Sequence, residues 1–188
     1  YPGEGPVNTR VLSWNIHNII GTVHRDAHYT LLSQKALDLR ADIVLLQEVG
    51  IPPTEAYTHL VTASAYTLLR GNHAANTAIM YEHAEFACSD LTDAPPMMTD
   101  SGSPRDQGAA AEHLYQGRYM LANKITHQTI GLGNVYLPPR TTTNQFEDAV
   151  ARMFHWATGA MQTLSHVLVL GDFNAHTNTG HADSADCV

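Results

Sequence analysis

Residues 167–176 read Val-Leu-Val-Leu-Gly-Asp-Phe-Asn-Ala-His. The first four are apolar and partly β-branched, which reads as a buried strand. Gly171 breaks that run, and Asp172 and Asn174 follow two residues apart. Along an extended chain, residues i and i+2 project to the same side. The carboxylate and the amide are therefore expected to leave the end of one core strand together. Such a pair suits an acid/base step beside a group that holds a phosphate or a water. Gly, Asp and Asn also favour capped turns, and this stretch alone leaves the two readings in balance.

Upstream of it, 144–165 is the best helix. Asn144 and Glu147 fit a capping box. Phe146, Val150, Met153, Ala157, Met161 and Leu164 form an apolar stripe at helical spacing. Working outward, strands are expected at 11–16, 42–49, 66–69, 77–81, 119–125 and 129–137, with further helices at 29–40 and 54–65. Residues 1–9 read as a loose arm. Residues 82–117 look irregular, and 93–108, rich in Pro, Asp, Ser and Gly, reads as a surface excursion. There is no internal repeat and no boundary, so 1–188 is expected to be one domain. Short strands alternating with covering helices point to layered sheets with helices outside.

Composition narrows the function classes. The chain has 188 residues, enough for one sizeable core, and is 44% hydrophobic. Its net charge is −8 with histidine neutral, which argues against a strongly basic nucleic-acid clamp. A nuclease using metal ions and a few local arginines remains compatible with it. No apolar run is long enough to span a bilayer, so no membrane partner is expected. Two cysteines, Cys88 and Cys187, do not make a disulfide framework. That favours a reducing compartment, nuclear or cytoplasmic. The first residue is Tyr1 rather than Met, so a fragment or processed piece is expected.

Several expected strands end in polar residues that a core does not need. Asn15 lies in the first, Glu48 ends the second, Asn134 and Tyr136 precede Pro138, and Asp172 and Asn174 close the last. If these ends converge they form an oxygen-rich pocket. One or two carboxylates with amides and waters suit Mg²⁺ or Mn²⁺.

Four blocks carry a resemblance: Ser-Trp-Asn-Ile at 13–16, Leu-Leu-Gln-Glu-Val at 45–49, Asn-Val-Tyr-Leu-Pro-Pro at 134–139 and Gly-Asp-Phe-Asn-Ala-His at 171–176. Together, in this order, they resemble the signature blocks of the endonuclease/exonuclease/phosphatase superfamily. The last two look most like the apurinic-like endonuclease domain of non-LTR retrotransposons. The resemblance implies a four-layer α/β sandwich, two mostly antiparallel sheets face to face with helices outside. It implies hydrolysis of phosphodiesters with a divalent metal, Mg²⁺ or Mn²⁺. Glu48 would be the metal ligand and Asn15 would lie beside the metal and the phosphate. Tyr136 would hydrogen-bond the scissile phosphate, Asp172 would handle a proton, and Asn174 would orient the phosphate. Arg140, Asn134 and His176 are candidates for substrate contact. In one respect the chain departs from the family: no Ser-Asp-His block, which would supply a catalytic histidine, occurs in it. The domain is therefore expected to be incomplete at its C-terminus and to lack the last strands. His181, Asp183 and Asp186 offer only a makeshift substitute, and His176, His181, Asp183 and Cys187 match no standard zinc spacing.

The first functional expectation is a DNA-nicking endonuclease domain of a retrotransposon polyprotein, with a reverse transcriptase downstream. The second is another hydrolase of the same superfamily, acting on a phospholipid or an inositol phosphate. The third is an inactive remnant that serves as a binding module.

Overall fold

The computed structural model describes residues 8–17, 25–49, 57–60, 65–70, 76–92, 116–137 and 143–174. Among these residues, nine strands and two helices follow in the order β1 (Val11–Asn15), α1 (Arg25–Asp38), β2 (Ile43–Gln47), β3 (Tyr57–Leu60), β4 (Tyr66–Arg70), β5 (Thr77–Glu82), β6 (Phe86–Asp90), β7 (Gln116–Asn123), β8 (Thr129–Tyr136), α2 (Thr143–Ala160) and β9 (His166–Asp172). One sheet has the order β1-β2-β5-β4-β3 and the other β6-β7-β8-β9. Among the described strands, β1–β2 and β8–β9 pair in parallel and the other pairs are antiparallel. Each parallel pair is joined through a helix, α1 in the first sheet and α2 in the second, because parallel neighbours need a long crossover.

Side-chain alternation builds the layers. In β2, Val44 and Leu46 pack outward with Tyr29, Leu32 and Ala36 of α1. Ile43 and Leu45 pack inward against Tyr119, Leu121, Ile130 and Leu132 of the other sheet. On the far side, Val135 and Val169 pack with Ala149, Met153 and Trp156 of α2. The result is the helix–sheet–sheet–helix sandwich expected from the sequence. Among the described residues, no helix is long and apolar enough to cross a membrane.

Two glycines let α2 lie close on β8. A Cβ at Gly133 would sit 2.6 Å from the Met153 sulfur, and one at Gly131 would sit 2.7 Å from a Leu164 methyl. Phe146 and Met153 of the expected stripe pack on this face, joined by Ala149 and Trp156 in place of Val150 and Met161. Ala149 and Met153 are buried, while Val150 and Met161 are exposed and Phe154 is 71% exposed. The helix also ends at Ala160 rather than 165. The backbone N–H groups of residues 161–164 close its last turn on the carbonyls of Ala157, Gly159 and Ala160. Trp14 and Trp156 pack against the cores, as expected.

Other expectations change. The helix expected at 54–65 contains β3 instead, whose residues Tyr57–Leu60 pair antiparallel with β4. Aromatic and β-branched residues favour that ladder, and a four-residue strand is too short to show a period. In the irregular stretch, β6 emerges with Phe86 buried and Ala87 and Ser89 exposed, a two-residue alternation. The excursion at 93–108 lies outside the described residues. β9 runs through Gly171 to Asp172, so the glycine does not break the strand.

Gly171 has a different function. Its φ is +152°, and a Cβ there would lie 1.9 Å from the Val135 carbonyl oxygen of β8. The strand that carries Asp172 thus reaches β8 only because residue 171 has no side chain. Gly171→Ala should destabilise the fold by about 3 kcal/mol or more, since both backbone strain and overpacking act there. Thermal unfolding checks this, and a melting temperature within a degree or two of the parent would contradict it.

Candidate active site

β1 and β9 are edge strands of opposite sheets and lie against each other. Their last residues, Asn15 and Asp172, meet at the same end of the sandwich. The Asn15 amide nitrogen donates to Asp172 Oδ2 at 2.8 Å and to Glu48 Oε1 at 2.8 Å. Both carboxylates only accept, so the NH₂ face of Asn15 must be the one turned to them. Asn15 Oδ1 accepts the His17 backbone N–H at 3.0 Å. Every polar atom of this amide is thereby used.

Glu48 reaches the site through a phase slip. A regular strand would send residue 48 outward after 44 and 46. Instead Glu48 has φ +53°, and Val49 takes the outward place beside α1. Gln47 and Val49 on either side are buried, so the irregular residue is clamped between two anchored ones. His17 and Asn174 are also left-handed, at φ +49° and +43°. Three such non-glycine residues around one point are the kind of strain that gathers at functional sites.

Asp172 forms the capped turn that one reading of its stretch expected. Its side chain points inward to Asn15, and its Oδ1 also accepts the Asn174 backbone N–H at 3.0 Å, which makes a capped turn. The Asn174 side chain does not project freely beside it: its amide nitrogen donates to the Leu137 carbonyl at 2.7 Å. Tyr136 pairs with Asp172 in the β8–β9 register and is largely buried.

Asn134 is corrected. It was expected to touch substrate, but it is wholly buried. Its amide nitrogen donates to the Leu46 and Ala78 carbonyls, both at 2.9 Å, and its oxygen accepts from Gln47 at 2.7 Å. Both amide hydrogens and the amide oxygen are thus engaged inside the protein, away from any ligand. Arg140 and His176 lie outside the described residues. Two contributors were missed from sequence. His17 Nδ1 lies 3.5 Å from Glu48 Oε2 on an exposed side chain, and its only signal was the two-residue step from Asn15. Gln47 stood in the Leu-Leu-Gln-Glu-Val block without a role of its own.

The donor set fits a hard divalent cation. Two carboxylates from opposite sheets converge on one amide, leaving oxygen lone pairs directed to the same rim, and oxygen donors of this kind suit Mg²⁺ or Mn²⁺. A separate acidic group, Asp42, Glu82 and Glu85, sits at the other end of β2, with carboxylate oxygens within 4.8 Å of one another. These three residues can also hold a cation, but Asp42 Oδ2 already accepts the Arg10 backbone N–H at 2.6 Å.

Residues 12–185 match the model of the Endonuclease/Exonuclease/phosphatase family. The chain belongs to this family. Solved structures of similar fold include a humanized TDP2 of D. rerio, at 14% identity and TM-score 0.51, covering 90% of this chain and 63% of that one. The human Nocturnin catalytic domain with bound sulfate matches at 15% identity and TM-score 0.52, covering 89% and 64%. A mannosyl-6-phosphatase of Bacteroides thetaiotaomicron matches at 14% identity and TM-score 0.51, covering 93% and 68%. At such identities the likeness shows the fold alone. The chain spans a little under two thirds of the first two structures. No curated protein matches the sequence significantly.

The acidic group away from the site yields a pH prediction. Burial first, and then the charges of Glu85 and Asp42, push the Glu82 carboxyl above its usual range. A carboxyl raised in the folded state gives stability that is present at low pH and lost as pH rises through its folded value. Glu82→Gln should therefore raise the melting temperature at pH 7, and the gain should vanish below about pH 4, where the acid is protonated in both states. Melting curves across pH 3.5–7.5 test this; a gain independent of pH would contradict it.

Proposed function

We propose that this chain is a metal-dependent phosphodiester hydrolase that nicks DNA, the endonuclease domain of a retrotransposon polyprotein that continues into a reverse transcriptase. The observation that carries the hydrolase reading is the Asn15 amide shared by Glu48 and Asp172. The two C-terminal blocks, Asn-Val-Tyr-Leu-Pro-Pro and Gly-Asp-Phe-Asn-Ala-His, support the retrotransposon assignment.

Glu48 would hold the cation, with Asn15 beside it. Bound there, Mg²⁺ or Mn²⁺ would polarise a phosphoryl oxygen and stabilise the leaving oxyanion. Asp172 is oriented by two donated hydrogen bonds, from Asn15 and from the Asn174 backbone. It would take the proton of the attacking water as the water oxygen bonds to phosphorus and the bond to the 3′ oxygen breaks. The leaving 3′ oxygen would take a proton from solvent water, giving a 3′ hydroxyl, usable as a primer, and a 5′ phosphate. Tyr136, next to Asp172 in register, would hydrogen-bond the phosphate, and Asn174 would fix its orientation from the turn.

The net charge of −8 favours a second reading, a family hydrolase acting on a phospholipid or inositol phosphate. Nicking of supercoiled plasmid, compared with hydrolysis of inositol phosphates and a small nitrophenyl phosphodiester, separates the two. Preference for the small esters would overturn the DNA assignment.

Glu48→Ala should weaken Mn²⁺ binding by about tenfold or more while the fold survives, since partly exposed carboxylate pairs stabilise by no more than about 1 kcal/mol. Titration calorimetry reads the first and thermal melting the second. Unchanged Mn²⁺ affinity would remove Glu48 from the metal site.

A further inference from the structure

The interior between the sheets is apolar along most of its length, with Ile43, Leu45, Ile79, Tyr119, Leu121 and Leu132 interdigitating. Apolar contact is non-directional, so it holds the sheets together without fixing how far one slides along the other. At the site end the character changes. Asn15, Gln47 and Thr77 are lateral neighbours on β1, β2 and β5. Asn15 bonds across to Asp172, and one strand over Gln47 bonds across to Asn134.

The Gln47–Asn134 pair is closed on itself. Gln47 is 1% exposed and Asn134 0%. Gln47 Nε2 also lies within hydrogen-bond distance of Ser13 Oγ and its own strand's Leu45 carbonyl, both at 3.2 Å. Asn134 straddles β2 and β5 by donating to Leu46 and Ala78, which are partners in the β2–β5 ladder. Two buried amides thus tie β1, β2 and β5 of one sheet to β8 of the other, with bonds that tolerate little change in distance or angle. Glu48 is the residue immediately after Gln47, and β8 carries β9 and Asp172 in register.

We propose that Gln47 and Asn134 are positioning residues: an amide key that sets the two sheets in the one register where Glu48 and Asp172 face the same cation. The proposal rests on Glu48 as the metal ligand. Neither amide touches the cation or the substrate. Their effect reaches the site through the backbone of Glu48 on one side and through β8 and β9 on the other.

The test is Mn²⁺ binding, read by electron paramagnetic resonance, together with melting temperature, on the full 188-residue chain. Gln47→Leu or Asn134→Leu alone strands a buried polar partner and should lower the melting temperature clearly. Replacing both removes the stranded amide, so the double variant should recover part of that loss, as paired apolar replacement does. Its Mn²⁺ affinity should nevertheless remain about tenfold or more below the parent's, as when groups that orient metal ligands are lost. A merely structural pair would return affinity together with melting temperature, and that result overturns the proposal. Glu48→Gln is run beside it. If Glu48→Gln binds Mn²⁺ like the parent, the metal-site reading is wrong; if it loses Mn²⁺ while the double variant binds normally, the key alone is wrong. Should that double variant fail to fold, Gln47→Met with Asn134→Met, which removes both amides with less change of shape, carries the same comparison, and parent-like affinity in it overturns the proposal.

Discussion

One amide nitrogen holds two carboxylates that no single sheet could bring together. Asn15 comes from the edge of one sheet and Asp172 from the edge of the other, and Glu48 enters from the neighbouring strand through a left-handed backbone. Two negative groups placed at one point repel each other, and the two N–H bonds of Asn15 offset that repulsion without introducing a competing positive charge. Much of the local backbone serves this arrangement. Gly171 lets β9 run close to β8, and the turn after Asp172 is capped by Asp172 itself.

The four-layer build makes such a meeting possible. Each helix is the crossover of one parallel pair, so each sheet carries its helix on the outside and keeps its inner face for the other sheet. Strand ends from both sheets then open at a common rim. Polar side chains there are half-buried, wet enough to bind and dry enough to be oriented, while Gln47 and Asn134 one layer below are sealed from solvent. This gradient, from apolar interior through buried amides to a carboxylate rim, is what distinguishes the site end from the opposite end of β2. There Asp42, Glu82 and Glu85 crowd together, with no bridging side-chain amide among the described residues, and Glu82 is driven toward its protonated form.

Much of this was legible in the sequence because each site residue interrupts or closes an apolar run. Asn15, Glu48 and Asp172 stand at the ends of β1, β2 and β9, and the order of the four blocks points to the right architecture. Asn134 looked like the same signal and is not. Its strand continues two residues beyond it, so its side chain falls inside the sandwich instead of at the rim. His17 was invisible because its approach to Glu48 depends on a local φ that no periodicity encodes. The buried face of α2 was only partly legible, with Phe146 and Met153 placed rightly and Ala149 and Trp156 missed, because the glycines that receive it lie on β8. β3 and β6, at four and five residues, are set by their ladder partners more than by their own pattern.

The central claim is that Asn15 acts as the neutral donor between two carboxylates, and Asn15→Asp tests it most directly. The change keeps the shape of the side chain and replaces the shared donor with a third carboxylate. The melting temperature should fall sharply at pH 7, and millimolar Mg²⁺ or Mn²⁺ should restore much of the loss. The loss should also fade as the pH drops toward 4, since like charges at one point favour protonation. A melting temperature at pH 7 equal to the parent's, insensitive to divalent cations, would mean that Asn15 is an ordinary turn amide and that the carboxylates do not depend on it.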